Sequence, residues 1–184
     1  MKVAVPLLAV AVMLAGCSSS RPAQNVGFEE AGSLRDLDGT YRNLGESDPK
    51  YRQSDYLSAI IWPRLDASQH AAFSTISVRA LGDTALSVIA RDSSGAAKEQ
   101  TFIRGKDFEF SGGRVHLKAV WSNNLKESEQ GGVFFVRTAK ELGVDKKGQG
   151  KFKKSETVAG AVYLVVPIVV GTSEEVRFVR VEDQ

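Results

Sequence analysis

From about residue 73 the chain alternates apolar and polar side chains with a period of two. Ile76, Val78 and Ala80 alternate with Ser77 and Arg79, and Leu86, Val88 and Ala90 repeat the pattern against Ser87 and Arg91, with Ile89 breaking it. Alternation of this kind puts one face of a strand on a core and the other in water. Gly82-Asp83, Asp92-Ser93-Ser94-Gly95, Gly105-Lys106-Asp107 and Ser111-Gly112-Gly113 supply turn residues between successive runs. Further strands are expected over 100–104, 108–110 and 115–121. Tight turns at this spacing predict an antiparallel meander, because parallel neighbours need long crossovers. A polar loop is expected over 122–132, then a strand from Val133 to Val136 that extends toward Leu142. Val158–Val170 holds no charge and contains Pro167. It is too short for a membrane helix, which needs about 20 apolar residues. The pattern predicts one long buried strand there, or two split at Pro167, which cannot donate to a sheet ladder. A last strand is expected over 176–181.

Before residue 73 the pattern is sparser. Asp38 to Gly45 predicts a short first strand. Leu57, Ile60 and Ile61 fall at helical spacing, with Ser54 as a cap, Asp55 in the first turn and Pro63 limiting the far end. The expectation is a mainly β domain of eight to ten strands with one short helix near 54–62. A sheet of that size curls, splits or closes. A closed or nearly closed barrel removes exposed edges; a two-layer sandwich is the alternative. Such a barrel resembles the lipocalin-like calycins, although Gly39-Thr40-Tyr41 stands where those proteins usually carry Gly-x-Trp. The resemblance implies an interior that carries a lipid or other apolar ligand; in such a carrier Leu57, Ile60, Ile61 and Trp62, from the one expected helix and its end, would form a lid.

The N-terminus carries a different signal. Met1-Lys2 gives one positive charge, Val3 to Ala15 is uncharged, and the run ends Leu14-Ala15-Gly16-Cys17. A positive start, a brief apolar core and small residues at a cut site describe a secretory signal peptide. Leu14-Ala15-Gly16-Cys17 resembles the lipobox of bacterial lipoproteins. The resemblance implies cleavage before Cys17, a diacylglycerol thioether on its sulfur and acylation, commonly with palmitate, of the new amine. Ser18, where an aspartate tends to hold such proteins in the inner membrane, implies the periplasmic face of the outer membrane in a Gram-negative cell. Residues 1–16 are then a signal peptide. Residues 17–32, starting Ser18-Ser19-Ser20-Arg21-Pro22, are expected as a flexible tether, and 33–184 as a single β domain.

Composition agrees with export. Cys17 is the one cysteine, so no intramolecular disulfide forms, and lipidation accounts for the odd thiol. The 24 Lys and Arg, less Lys2, nearly balance the 22 Asp and Glu, which speaks against nucleic acid as a partner.

Candidate chemistry is thin. His70 and His116 are the two histidines, and no Gly-x-Ser-x-Gly elbow accompanies them. His70 is expected in a loop and His116 on the polar face of a strand. No zinc or calcium ligand series is present, and no cofactor motif; Gly148-Gln149-Gly150-Lys151 lacks phosphate-loop spacing. Glu29-Glu30 and Glu174-Glu175 are sequence neighbours that point apart on extended chain and are expected as solvated turn residues. Phe102, Phe108, Phe110, Trp121, Phe134, Phe135 and Tyr163 are expected as core. The most distinctive feature is Lys146, Lys147, Lys151, Lys153 and Lys154, with no acid among them. They offer contact to an anionic surface or polymer of the envelope, or simply a solvated hairpin tip. No catalytic residue is identified. A non-enzymatic module that binds another envelope protein or supports envelope assembly is expected.

Overall fold

The structure is a computed structural model, and it describes residues 17–48, 55–122, 132–162 and 166–181. The strands are β1 (Cys17–Ser20), β2 (Gly39–Arg42), β3 (Thr75–Ala80), β4 (Ala85–Asp92), β5 (Gly95–Ile103), β6 (Phe108–Ser111), β7 (Arg114–Ser122), β8 (Gly132–Val144), β9 (Gly150–Val162), β10 (Val166–Phe178) and β11 (Arg180–Val181). Two short helices, α1 (Leu57–Ile61) and α2 (Ala67–Ala72), and a 3-10 turn over Leu34–Leu37 complete the fold. The mainly β, antiparallel meander is as the alternation predicts.

The expected closed barrel is not found. The strands form a six-stranded sheet in the order β1-β10-β9-β8-β7-β6 and a five-stranded sheet in the order β11-β2-β3-β4-β5. Near Val179 one chain path passes from β10 of the first sheet to β11 of the second. On the opposite side β5 and β6 are consecutive yet share just one bridge, Arg104 to Phe108. The turn between them uses its own polar groups: the Asp107 carboxylate accepts from the Ile103 N–H at 2.9 Å, and the Gly105 N–H donates to Phe108. A seam therefore stays open there, and the arrangement follows the two-sheet alternative.

Both sheets contribute to one core. Tyr41, Ile76, Leu86, Val88 and Ala90 from the smaller sheet meet Phe108, Val115, Val144, Phe152, Val176 and Phe178 from the larger. β9 and β10 turn their last core residues inward at the Gly150 end, where an added Cβ would lie 2.9 Å from the Tyr41 ring.

Several elements differ from expectation. α1 starts after Tyr56, so Asp55 precedes the helix rather than lying in its first turn; Ser54 lies outside the described residues. α2 is a second helix, where a loop was expected around His70. Asp66 caps it, accepting from the Gln69 N–H at 2.8 Å while the Gln69 side chain accepts from the Asp66 N–H. The apolar run Val158–Val170 is neither one strand nor split at Pro167. Val158–Val162 belongs to β9 and Val166–Val170 to β10, the two pair antiparallel, and Pro167 pairs with Ala161 within the ladder. Over Val166–Val170 the outer edge of β10 has no partner among the described residues, and a sheet edge tolerates proline.

Residues 17–32, expected as a free tether, lie along the sheet. β1 pairs parallel with β10, Cys17 opposite Gly171, and Phe28 bridges to Asp145. Two glycines admit this segment. Phe28 would lie 3.1 Å from a Cβ on Gly143, and the Glu30–Ala31 backbone crosses Gly113, whose φ of +71° also excludes a side chain.

A buried polar hub joins α1, α2 and β2. The Asn43 side chain donates to the carbonyls of His70 (2.7 Å) and Phe73 (3.0 Å) and accepts from the Ser58 N–H (2.8 Å). Asn43→Ala strands these partners without water. At roughly 1–3 kcal/mol for each unsatisfied group, denaturant unfolding should show a loss of about 3 kcal/mol, with α1 exchanging its amides first.

Candidate functional site

The open seam between β5 and β6 leads into a groove of about 580 Å3. Ile60, Ile61, Phe102 and Leu117 give it an apolar floor, and Lys106, Lys118, Lys140 and Lys154 stand on its rim with Asp107 and Glu156. α1 is held over the seam through Trp62, whose indole N–H donates to Gln100 of β5 at 2.7 Å; Lys98 covers the same ring. Lys154 is paired with Glu156 at 2.9 Å, and Asp107 is committed to its turn. Lys106, Lys118 and Lys140 make no ion pair among the described residues, so the rim carries a positive surplus. Ile61, Phe102 and Leu117 also line a small interior cavity of about 90 Å3 between the sheets. That volume is below the few hundred Å3 of usual small-molecule pockets. The residues expected as a lid thus divide: Leu57 and Trp62 are buried core, while Ile60 and Ile61 face the groove.

The lysine run does not act as one patch. Lys146 and Lys147 are exposed on the β8–β9 turn, which Asp145 closes by accepting from the Lys147 and Gln149 N–H groups. Lys153 and Lys154 are half-buried on β9. Lys151 is buried. Its ammonium lies 2.8 Å from the Glu175 carboxylate and donates to Asn25 Oδ1 at 2.5 Å and the Val26 carbonyl at 2.6 Å. The Phe28 ring lies under both Lys151 and Arg114, and Arg114 pairs with Glu141 at 3.1 Å. Lys151 is therefore withdrawn from any surface role and pins the N-terminal segment instead. Burial pushes the Glu175 carboxyl up, but the Lys151 hydrogen bond and charge, with Asn25 and Arg21, outweigh it and hold the group below the usual carboxylate range. The expected pair of solvated glutamates, Glu174 and Glu175, is corrected here: both lie in β10 and Glu175 is buried.

His70 is buried in α2, with Nδ1 3.0 Å from the Ser58 hydroxyl. Ser58 is fully buried, so no substrate carbonyl reaches it, and the pair serves the Asn43 hub. His116 stays on the outer part of β7, its Nε2 3.1 Å from the Ser111 carbonyl and its Nδ1 3.9 Å from Glu141. Glu29 and Glu30 are exposed. Among the described residues no group of three or more His, Cys, Asp or Glu could hold a metal ion. Of the aromatics expected in the core, Phe108 is buried, Phe102 and Phe110 partly so, and Phe135 is exposed. Tyr163 and the residues expected as a lipobox, Leu14, Ala15 and Gly16, lie outside the described residues, as do the side chains of Trp121 and Phe134. Sequence spacing carried no signal for the groove, because its lysines come from four separate segments. No family model matches the chain, and neither the curated proteins nor the solved structures give a match.

Lys151→Met leaves Glu175 as a buried, unpaired carboxylate, and unfolding should cost about 3–5 kcal/mol less than in the parent. Lys151→Met with Glu175→Leu should recover most of that. Because the folded Glu175 titrates below its unfolded counterpart, its contribution is present above the usual carboxylate range and is lost as pH falls through the lowered value. Denaturant midpoints across acid pH should therefore fall less steeply in the double variant than in the parent.

Proposed function

We propose that the chain is a lipid-anchored module on the periplasmic face of the outer membrane that binds another envelope protein rather than catalysing a reaction. Cys17, in its lipobox setting, is the anchor through diacylglycerol and palmitate. The single observation that carries the binding role is the seam groove. It has an apolar floor, a lysine surplus and a volume suited to a side-chain cluster, which together fit a segment of apolar and acidic residues from a partner. Lys146 and Lys147, exposed on their turn, are the members of the lysine run left to meet an anionic envelope polymer.

The second reading, a carrier of a lipid or other apolar ligand, draws support from the apolar lining that groove and cavity share. The interior volume of about 90 Å3 weighs against it, since an acyl chain would have to lie in the open groove.

A photo-reactive amino acid at exposed Lys118, in cells, should yield a specific protein adduct that weakens with Lys106→Glu. An adduct of lipid mass would move the reading to the carrier. A reactive group at Lys118 that captures nothing, while the chain reaches the outer membrane intact, would remove the groove as the binding site.

A further inference from the structure

β8, β9 and β10 run past the core as a three-stranded tongue. Five successive cross-strand rows, from Gly132-Val162-Val166 to Val136-Val158-Val170, consist of Gly, Ala, Val, Ile, Phe and Pro alone. Phe135 is 54% exposed, Val169 59% and Val170 38%. Phe135, Ala159 and Val169 form one row on one face, and Val136, Val158 and Val170 the next row on the other, so apolar surface is presented on both sides. At about 3.3 Å per residue the five rows stand roughly 16 Å tall. Long apolar edges left in water pair with other chains, so a tongue of this composition needs a cover.

The next row is Arg137, Thr157, Gly171 and, through the parallel pairing of β1, Cys17. Beyond it comes a charged belt: Lys140, Glu141, Lys153, Lys154, Glu156, Glu174 and Glu175. The first residue of the mature chain thus lies on the row where apolar sequence gives way to charge. We propose that the tongue embeds in the same bilayer leaflet that receives the acyl chains of Cys17. This rests on the reading that Cys17 is lipidated. The occupant is lipid rather than a second copy because the row fixes where the acyl chains enter, and the apolar rows continue from that level away from the core. The depth is limited. Phe135 stands two rows from the row of Arg137, Gly171 and Cys17, roughly 7 Å at about 3.3 Å per residue. At that distance from the acylated row the ring lies at the boundary of headgroups and acyl chains, as the apolar faces of interfacial segments do. Phe is among the side chains that such segments bury at that level. Lys146 and Lys147, at the other end of the β8–β9 hairpin, then point away from the membrane.

The test uses the full chain, expressed with its signal, purified in detergent and reconstituted in phosphatidylethanolamine–phosphatidylglycerol vesicles doped with brominated phospholipid. Phe135→Trp and Lys147→Trp are compared with the parent. The added emission at 135 should be quenched, more by bromine near the top of the acyl chain than near its end, and that at 147 should not. Absence of quenching at 135 overturns the proposal, as does quenching at 147 instead. A blue-shifted but unquenched emission at 135 places the tongue against protein, which also overturns it. Phe135→Trp with Val169→Asp should lose the quenching. The mass of the purified chain reads the anchor separately: a chain without cleavage before Cys17 and without diacylglycerol overturns the lipidation, whatever the bromine shows.

Discussion

A primary ammonium inside a sheet face must be surrounded by acceptors, and much of this molecule follows from how Lys151 meets that demand. Glu175 supplies the countercharge from the neighbouring strand, but one carboxylate does not satisfy three donors. Asn25 and the Val26 carbonyl complete the set, and they belong to the N-terminal segment. The segment is thereby fixed, Phe28 is seated on Gly143 beneath two cations, and β1 is brought to the edge of β10. The pair costs desolvation on both partners. What it secures is a unique path for a stretch that has little apolar surface of its own.

The seam between the two sheets has a comparable origin. A turn that spends its hydrogen bonds internally, around Asp107, cannot extend the ladder from β5 to β6. The gap exposes Phe102 and Leu117 to the groove, and α1 covers the opening in part. The groove and the failure to close a barrel are one feature seen twice.

The strands were legible because alternation reports burial on one face, and Ile76, Leu86, Val88 and Ala90 are buried as their spacing predicts. Closure was not, because it depends on edge pairing between β5 and β6, which leaves no mark on either strand. α2 was missed although Asp66-Ala67-Ser68-Gln69 is a capping box in plain view; six residues without an apolar period gave nothing for the box to start. The lysine run misled for a related reason. Charge is a local property of sequence, whereas the burial of Lys151 is set by Asn25, more than a hundred residues away. Val158–Val170 was read as interior because its composition is that of a core, and composition does not say which side of the molecule an apolar strand faces.

The pairing of β1 with β10 has a mechanical consequence. A lipoprotein on a loose leader swivels and samples a hemisphere of positions above its membrane. Here the chain is stitched to the body from Cys17 onward, so under the proposed lipidation of Cys17 no slack would remain between acyl chains and domain. A chain anchored in that way would work as a fixed post. Its reach from the membrane would be the height of the fold itself, its bearing there would be constant, and whatever enters the seam would come to it at that height and angle.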